Sequence, residues 1–361
     1  MKVIQVIPTL NLAGAERMCE TLTLELIKKN ISVKIVSLYS SHTSITEKLT
    51  QLGVEIFFLD KKPGLDLSII KKLKDIFKKE RPDVVHSHLD SIKYITIATR
   101  KMNIPICVHT VHNMADKELD AMGRLWVKRF YKNHQIIPIA LSKIIQESIV
   151  NVYGISSDDI PIIVNGIDLS NCLQKRDYNI SDTIKILHIG RFSEQKNHKG
   201  LIDVFKIFHT AKPNSILELI GDGYMMDTIK EYVSANNLED AVSFLGVKSN
   251  VFEYINKADI FLLPSLYEGV PITLIEAMGT GIPIVATKVG GIPNMLSNNE
   301  NALLTSTDAQ EIANKLIMLA DNFQLRKKLG QNAYIGSKEF SSEEMARQYI
   351  EIYQGKFQKY S

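Results

Sequence analysis

Two glutamates, Glu268 and Glu276, are the clearest candidates for chemistry in the sequence. They lie in a segment that follows the apolar run Ile260–Leu263. Pro271 lies between them, and because proline is well tolerated in the first turn of a helix we expect a helix to begin there. Free backbone N–H groups at a helix amino terminus bind anions, and a carboxylate can accept two hydrogen bonds from a vicinal diol. The pattern predicts a site for a phosphate beside sugar hydroxyls. The alternatives are a helix-capping acid at Glu268 and an exposed helix acid at Glu276.

A basic loop, residues 190–200, follows the apolar run Ile184–Ile189. It carries Arg191 and Lys196 just beyond the expected carboxyl end of a strand. A guanidinium can grip phosphate oxygens with a fork of hydrogen bonds, and an ammonium supplies a point charge. We interpret this segment as a phosphate-binding loop, with an ordinary solvated basic loop as the alternative.

A small-residue turn, residues 12–17, follows the first apolar run and opens a helical pattern. Gly14 lies in this turn, where the lack of a side chain lets backbone N–H groups approach an anion closely. The alternative is a tight turn between a strand and a helix that binds no ligand.

Four histidines stand at the ends of two predicted strands: His86 and His88 in one, His109 and His112 in the other. A histidine that ends a strand is often only structural. If the first strand continues, we expect His86 to point away from His88, and His88 to line the side where an acceptor binds. A zinc site built from the four is conceivable, but strand spacing gives no reason to prefer it.

Short β-branched runs alternate with amphipathic stretches along the chain, which predicts an α/β fold with doubly wound parallel sheets. The predicted strands of the first half are Lys2–Pro8, Val33–Leu38, Glu55–Leu59, Val84–His86 and Ile106–Thr110. After a further apolar run at Ile162–Val164, those of the second half are Ile184–Ile189, Ser215–Ile220, Val242–Leu245, Ile260–Leu263 and Ile284–Thr287. The repetition predicts two Rossmann-like domains that face a central cleft, since ligands bind beyond the carboxyl ends of the strands in such sheets.

The predicted domain boundaries follow from this repetition. We expect one Rossmann-like domain over residues 1–165, a linker over 166–183 and a second Rossmann-like domain over 184–341. The helical pattern that begins at Ser342 has no strand after it, so residues 342–361 are expected to cross back to the first domain.

Composition is that of a globular protein, with 361 residues, 45% hydrophobic and 23% charged. The net charge of +3 gives no indication of nucleic acid binding, and three scattered cysteines favour a reducing compartment. The amino terminus lacks the long apolar region of a signal peptide. These features predict a cytoplasmic protein, with attachment to the inner face of the plasma membrane as a further hypothesis.

Three nucleotide-binding signatures are missing from the sequence. No GxGxxG follows the first strand and there is no GxxxxGK[ST], which disfavours a dinucleotide dehydrogenase and a P-loop enzyme. No Asp-x-Asp pair is present to bring in Mg²⁺ or Mn²⁺. We therefore expect no metal and no cofactor, with protein cations and backbone amides neutralising a diphosphate.

The segment EGVPITLIEAMGTGIPIVAT, with Glu268 and Glu276 separated by seven residues, resembles the EX7E signature of the retaining family 4 glycosyltransferases. The resemblance extends to GRFSEQKNHKGLI, to IGDG at Ile220–Gly223 and to the early turn, where relatives often read GGAER and this chain has Ala13 in place of the first glycine. It covers nearly the whole chain and implies the GT-B fold, with residues 1–165 as the acceptor-binding domain and residues 184–341 as the nucleotide-sugar-binding domain.

The resemblance also implies roles for individual residues. Arg191 and Lys196 would bind the donor diphosphate and stabilise the leaving group, Glu276 would bind the ribose, and Glu268 would contact hydroxyls of the donor sugar. The remaining donor-side positions it implies are the backbone amides of Gly269, Val270, Ile272 and Thr273, the turn at Gly14 against the diphosphate, and His112 beside the transferred sugar.

The implied reaction is transfer of a sugar with retention from a UDP- or GDP-sugar to a glycan or lipid-linked acceptor, in bacterial surface polysaccharide assembly. Two alternatives remain open: a sugar-nucleotide 2-epimerase of the same architecture, and a non-catalytic sugar-nucleotide-binding protein. Peripheral membrane contact is a further hypothesis, based on the lysine-rich face of Leu67–Lys79 and the segment Trp126–Lys132. An ordinary solvated helix face is the alternative there.

Overall fold

The computed structural model of the chain describes residues 1–12, 14–248 and 250–356. The chain divides into two compact units, one formed by residues 1–166 with residues 341 onward and the other by residues 167–340. Within the described residues no helix has the length and apolar character needed to cross a lipid bilayer.

The first unit is built on a six-stranded parallel sheet. Its strands are β1 (Lys2–Ile7), β2 (Ser32–Ser37), β3 (Glu55–Phe58), β4 (Val84–His88), β5 (Ile106–Val111) and β6 (Ile137–Ala140). Its helices up to residue 166 are α1 (Gly14–Lys28), α2 (Ser44–Gln51), α3 (Ser68–Glu80), α4 (Ile92–Ala98), α5 (Ala115–Glu118), α6 (Ala121–Lys132) and α7 (Lys143–Tyr153). The strand order β3-β2-β1-β4-β5-β6 is doubly wound, with the reversal between β1 and β4.

The second unit repeats this topology. Its strands are β7 (Ile184–Ile189), β8 (Ser215–Ile220), β9 (Val242–Gly246), β10 (Ile260–Leu263), β11 (Ile284–Thr287) and β12 (Leu303–Thr305). Its helices are α8 (His198–Ala211), α9 (Met226–Ala235), α10 (Phe252–Lys257), α11 (Ile272–Thr280), α12 (Ala309–Asp321) and α13 (Phe323–Ser337). The order β12-β11-β10-β7-β8-β9 places the reversal between β7 and β10. The predicted pair of doubly wound parallel sheets is confirmed.

Burial explains why the central strands could be predicted from the sequence. Every residue of β10 and β11 is buried, as are the last four residues of β7, because helices cover both faces of a parallel sheet. Two strands were not predicted: β6, a short strand that contains Pro138, and β12, which has three residues. The apolar run Ile162–Val164 forms only an isolated bridge between Ile162 and Ala140.

The segment predicted as a linker, residues 166–183, lies almost entirely in the second unit. The amide of Lys175 donates to the carbonyl of Thr280 at 2.7 Å, and the hydroxyl of Tyr178 donates to the carbonyl of Gly281 at 3.1 Å. Tyr178 is buried, and Arg326 donates to its carbonyl. These contacts hold the predicted linker against α11 and α13.

The last helix of the described residues, α14 (Ser342–Tyr353), belongs to the first unit. The Ser341 side chain caps it, and the Ser342 hydroxyl donates to the buried carboxylate of Glu25 on α1 at 2.9 Å. Tyr349 and Tyr353, one turn apart, are both buried. The carboxyl-terminal helix therefore completes the core around β1, β4 and β5.

Candidate active site

Topology brings two loops of the second unit together. The loop after β7, residues 190–197, and the loop after β10, residues 264–271, leave neighbouring strands at the carboxyl edge of the sheet, where the strand order reverses. The amide of Leu266 donates to the carbonyl of Gln195 at 2.9 Å, and the Asn197 side chain donates to the carbonyl of Pro264 at 3.1 Å. The two segments that the sequence singled out for chemistry thus form one hydrogen-bonded structure.

Glu268 is the centre of this structure. One carboxylate oxygen accepts from the Lys196 ammonium at 2.6 Å and from the Ser265 hydroxyl at 2.7 Å, and the other accepts from the Gln195 amide at 3.2 Å. Glu268 is buried, so these donors replace the water it has lost. The helix-capping alternative is not supported, because α11 has Pro271 at its N-cap and no side-chain cap hydrogen bond.

A glycine turn after β11 holds the backbone of Glu268 in place. Gly290 has a φ of +53°, and a Cβ there would overlap the carbonyl of Glu268. The amide of Gly291 donates to that same carbonyl at 3.0 Å. A residue with a side chain at position 290 would therefore push the Glu268 loop away from the sheet edge.

Unpaired donors line the stretch between Glu268 and α11. The main-chain amides of Gly269, Val270, Ile272 and Thr273 make no hydrogen bond to any other residue that the structure describes. The Thr273 hydroxyl is buried and equally without a partner. The first N–H groups of any helix lack partners within that helix, and Gly269 and Ile272 are exposed. Buried side-chain groups are nearly always satisfied in folded proteins, so the unpaired Thr273 hydroxyl beside these free amides favours an anion-binding site.

Glu276 lies about one turn into α11 and is half-buried. Burial raises the pKa of its carboxyl to about 7. No hydrogen bond or ion pair joins it to another residue in the described part of the chain. The alternative of an exposed helix acid is not supported, because solvent does not surround this side chain.

Arg191 is exposed at the start of the loop after β7, and its guanidinium has no partner among the residues described. A guanidinium keeps its charge at every ordinary pH. Arg191, the paired Lys196 and the free amides therefore present positive potential from the strand ends of one sheet, while Glu276 presents acceptor oxygens.

His86, His88 and His112 lie together in the first unit, with ring centroids 4.1 Å apart for the first two and 5.3 Å apart for the last two. The ring nitrogen Nδ1 of His88 lies 3.1 Å from Nε2 of His112, and Nε2 of His88 lies 3.0 Å from the side-chain oxygen of Gln5. His88 is fully buried, whereas His112 is half-buried. Burial lowers the pKa of His112 to about 4, so its ring is neutral at neutral pH.

Two expectations for the first pair of histidines need correction. His88 does not line an open acceptor side, because it is fully buried and both its ring nitrogens are hydrogen bonded. His86 does not point away from His88: residues two apart in a strand share a face, and the two ring centroids are 4.1 Å apart. His86 instead contacts the hydroxyls of Tyr353 at 2.7 Å and Thr110 at 2.8 Å.

Glu118 fixes the turn that carries His112. One carboxylate oxygen lies 3.0 Å from Nε2 of His109, and the other accepts from the amides of His112 at 2.9 Å and Asn113 at 3.1 Å. The Glu118 side chain is 3% exposed. The turn after β5 is therefore clamped by a buried carboxylate.

Gly14 begins α1, in the turn after β1. A Cβ at this position would meet no atom within 4 Å, so the space beside it within its own unit is open. Ala13, the departure from the relatives' glycine pair, lies outside the described residues. Among the residues described, no group of three or more histidine, cysteine, aspartate or glutamate side chains is placed to hold a metal ion.

Sequence reasoning missed Gln5, Glu118, Gln195 and Ser265. Gln195 and Ser265 lie inside the quoted motifs. Gln5 is the one polar residue within the apolar run of β1, and such a residue indicates a buried hydrogen bond. Glu118 sits in a four-residue helix with no periodic pattern, so nothing in the sequence marked it.

The fold and this arrangement of loops are those of a glycosyltransferase with the GT-B fold. The family model "Glycosyltransferase Family 4" matches residues 12–171, and "Glycosyl transferases group 1" matches residues 173–335. The chain belongs to the family 4 glycosyltransferases.

Individual relatives agree with this assignment. The chain is similar to the UDP-Gal:α-D-GlcNAc-diphosphoundecaprenol α-1,3-galactosyltransferase of Escherichia coli, with 28% identity over 71% of this chain and 73% of the relative. It is equally similar to the N-acetyl-α-D-glucosaminyl L-malate synthase of Bacillus anthracis, with 28% identity over 81% of this chain and 79% of the relative. The crystal structure of Anabaena HepE in complex with UDP has the same fold, with a TM-score of 0.78, 20% identity, and coverage of 98% of this chain and 100% of that one.

Proposed function

We propose that this protein transfers a hexose-type sugar from a UDP- or GDP-sugar to a glycan or lipid-linked acceptor, with retention and without a metal ion or cofactor. The observation that carries the proposal is the Lys196–Glu268 pair beside four unpaired amides and the unpaired Thr273 hydroxyl. An anion-binding helix terminus, a carboxylate and a cation in one loop system suit a sugar diphosphate.

Each donor-side group has a role that its chemistry supports. Arg191 and Lys196 bind the diphosphate, with the free amides of Gly269, Val270, Ile272 and Thr273 around it. Glu276 has no partner and can accept two hydrogen bonds from the ribose diol. Glu268, already held by three donors, keeps its remaining acceptor capacity for a sugar hydroxyl. Gly14 contributes to diphosphate binding, and His112 contacts the transferred sugar.

In the proposed reaction the bond between the anomeric carbon and the diphosphate oxygen breaks, and negative charge grows on the leaving group. Arg191, Lys196 and the amides before α11 are in place before this happens, so they favour the transition state over the ground state. The acceptor hydroxyl attacks from the face that the diphosphate leaves, and the leaving phosphate takes its proton. No step requires a metal ion, because protein charges and dipoles neutralise the diphosphate.

The substrate classes follow from the relatives. HepE is described in complex with UDP, and the Escherichia coli relative is named for a UDP-sugar donor and an undecaprenol-linked acceptor. These names support a UDP-sugar and a lipid-linked or glycan acceptor for this chain, and hence a role in bacterial surface polysaccharide assembly at the cytoplasmic side of the membrane.

Membrane contact is part of the proposal, and α6 is the surface that supports it. Met122, Leu125 and Trp126 are 82%, 75% and 43% exposed on its first two turns, and Lys128 and Arg129 follow after the buried Val127. The Trp126 indole donates to the Thr96 hydroxyl on α4 at 3.0 Å, which holds the ring at the surface. Large apolar side chains beside cations favour an anionic lipid interface over plain solvent.

The experiment is nucleotide release from a panel of UDP- and GDP-sugars in EDTA, with and without acceptors. We expect release from one donor, increased by its acceptor and strongly reduced in Glu276→Gln. Glu231→Gln, which changes an exposed glutamate on α9, is the matched control and keeps full activity. Activity that requires a divalent ion would contradict the metal-free mechanism, and interconversion of donors without release would indicate an epimerase.

A further inference from the structure

A continuous chain of hydrogen bonds runs from α1 to His112 inside the first unit. The Thr23 hydroxyl donates to the carbonyl of Cys19 at 2.7 Å, and the Gln5 amide nitrogen donates to the Thr23 oxygen at 2.6 Å. Gln5 and Thr23 are fully buried. Solvent does not compete for the polar groups of these two side chains, so each bond in this part of the chain constrains the next.

The orientation of the Gln5 amide is set by its surroundings. Its nitrogen also lies 3.5 Å from the carbonyl oxygen of Cys19. If the Gln5 amide were rotated by 180°, its oxygen would face the carbonyl oxygen of Cys19, and two acceptors would lie against each other. The Thr23 hydroxyl would then have to donate to Gln5 and would lose its hydrogen bond to Cys19. The Gln5 oxygen therefore faces His88, and an amide oxygen can only accept.

Acceptance by Gln5 determines the proton position on both histidines. Nε2 of His88 must carry the proton that it donates to Gln5. Burial and the neighbouring His86 lower the pKa of His88 far below its usual value, so the ring is neutral and its Nδ1 has no proton. Nε2 of His112 must then carry the proton shared with Nδ1 of His88.

The far nitrogen of His112 is left as an acceptor. Because His112 is neutral and protonated at Nε2, its Nδ1 has a free lone pair. That atom makes no hydrogen bond to another described residue and is not among the buried unpaired atoms, so it is accessible. An accessible imidazole acceptor selects a ligand atom that donates a hydrogen bond.

We propose that Gln5 and His88 are positioning residues that hold His112 in the Nε2-protonated form, so that its Nδ1 accepts a hydrogen bond from a hydroxyl of the transferred sugar. The identity of the ligand rests on the proposed function, whereas the proton position does not. In a neutral histidine, the hydrogen-bond partner of one ring nitrogen determines which nitrogen carries the proton. For His112 this partner is His88, which Gln5 orients in turn.

The proton position is tested by histidine ¹⁵N NMR of the full chain, with the His112 signals assigned by their loss in His112→Gln. We expect the wild-type signals of Nε2–H and bare Nδ1. Gln5→Met removes the acceptor that orients His88, so the His112 signals should move towards the average of the two neutral forms. His88→Phe provides a second route to the same shift if Gln5→Met does not fold.

Thr110→Val is the matched control, because it removes a buried hydroxyl from the neighbouring strand without touching the chain from Thr23 to His112. Its His112 signals should remain those of the wild type. Wild-type protein with the proton on Nδ1 of His112, or unchanged signals in folded Gln5→Met and His88→Phe, would overturn the proposal.

A kinetic readout separates positioning from general damage. Fluorine in place of the contacted hydroxyl cannot donate, so wild-type protein should disfavour that deoxyfluoro donor. In Gln5→Met the ratio of kcat/KM for the parent donor to that for the fluoro donor should fall about fivefold. An equal loss for both donors would overturn the proposal. If no donor is turned over while the NMR follows expectation, the proposed function fails and the proton assignment stands.

Discussion

Lys196 and Glu268 form a buried ion pair between two loops, with Nζ 2.6 Å from Oε1 and the side chains 13% and 4% exposed. The pair joins the residue expected to meet the diphosphate to the residue expected to meet the sugar. Ser265 and Gln195 also donate to Glu268, so the pair is a rigid connection between the two loops.

The first prediction concerns this pair. Lys196→Met should reduce kcat by about 10²–10³-fold, since it removes a positioned cation from the developing charge. Lys199→Met is the control: that lysine is exposed on α8 and lies over the ring of Tyr232 instead. Nucleotide release at saturating donor measures both. Equal kcat values for the two variants would contradict the role of Lys196.

The second prediction is a pH dependence that originates in Glu276. Its pKa, raised to about 7 by burial, means that the carboxyl of the free protein takes up a proton as the pH falls through 7. The protonated form accepts less from a ribose diol, so KM for the donor should rise as the pH is lowered from 8 to 6, roughly tenfold per unit below the pKa.

Glu276→Gln supplies the control for that profile. A glutamine does not titrate in this range, so the variant should have a high KM that hardly changes with pH. A wild-type KM that is flat across the same range, or a profile that persists in Glu276→Gln, would show that another group is responsible.

The third prediction uses the unpaired Thr273 hydroxyl. Thr273→Val should leave the free energy of unfolding unchanged or raise it, because the lost group has no partner in the free protein. It should weaken donor binding by about fivefold, the size of one hydrogen bond. Calorimetry and donor titration measure the two effects.

Thr280→Val is the matched variant on the same helix. Its buried hydroxyl donates to the carbonyl of Ala277 at 2.8 Å, so its loss should lower the free energy of unfolding by about 1 kcal/mol. Donor affinity should stay as in the wild type. Loss of stability in Thr273→Val together with loss of donor affinity in Thr280→Val would contradict these roles of the two hydroxyls.

The fourth prediction concerns the turn behind Glu268. Gly290→Ala should destabilise the fold by about 2 kcal/mol or more, because the new Cβ overlaps the Glu268 carbonyl and the φ of +53° is strained for alanine. Gly246→Ala has a φ of +68° but open space around its Cβ, and should show the smaller loss due to strain alone. Thermal unfolding compares them, and a similar loss in both would contradict the packing role of Gly290.

Much of the fold was predictable because helices cover both faces of each sheet. The strands β7, β8, β10 and β11 match their predicted bounds, since parallel strands buried on both faces are apolar along their length. The strand β12 was missed because three residues are too few for a pattern. The contacts that hold the predicted linker against the second unit could not be predicted, because they join Lys175 and Tyr178 to residues far away in the sequence.

The candidate site was predictable in its parts but not in its connections. Loops at strand ends were expected to carry Arg191, Lys196 and Glu268, and the topology places them there. The pairing of Lys196 with Glu268 spans 72 positions and depends on β7 and β10 being neighbours, which no local pattern encodes. The burial of His88 behind His112 likewise depends on Gln5, which comes from a third strand.

The most direct test of the account is the product of the reaction, followed by NMR with a donor labelled with ¹³C at the anomeric carbon, in EDTA. We predict that the label moves into a glycosidic linkage with the acceptor and keeps the α configuration of the donor. A linked product with inverted configuration would contradict the retaining mechanism. Label that stays on the nucleotide, epimerised or unchanged, with the acceptor shown to be competent for a related enzyme, would contradict the proposed transfer itself.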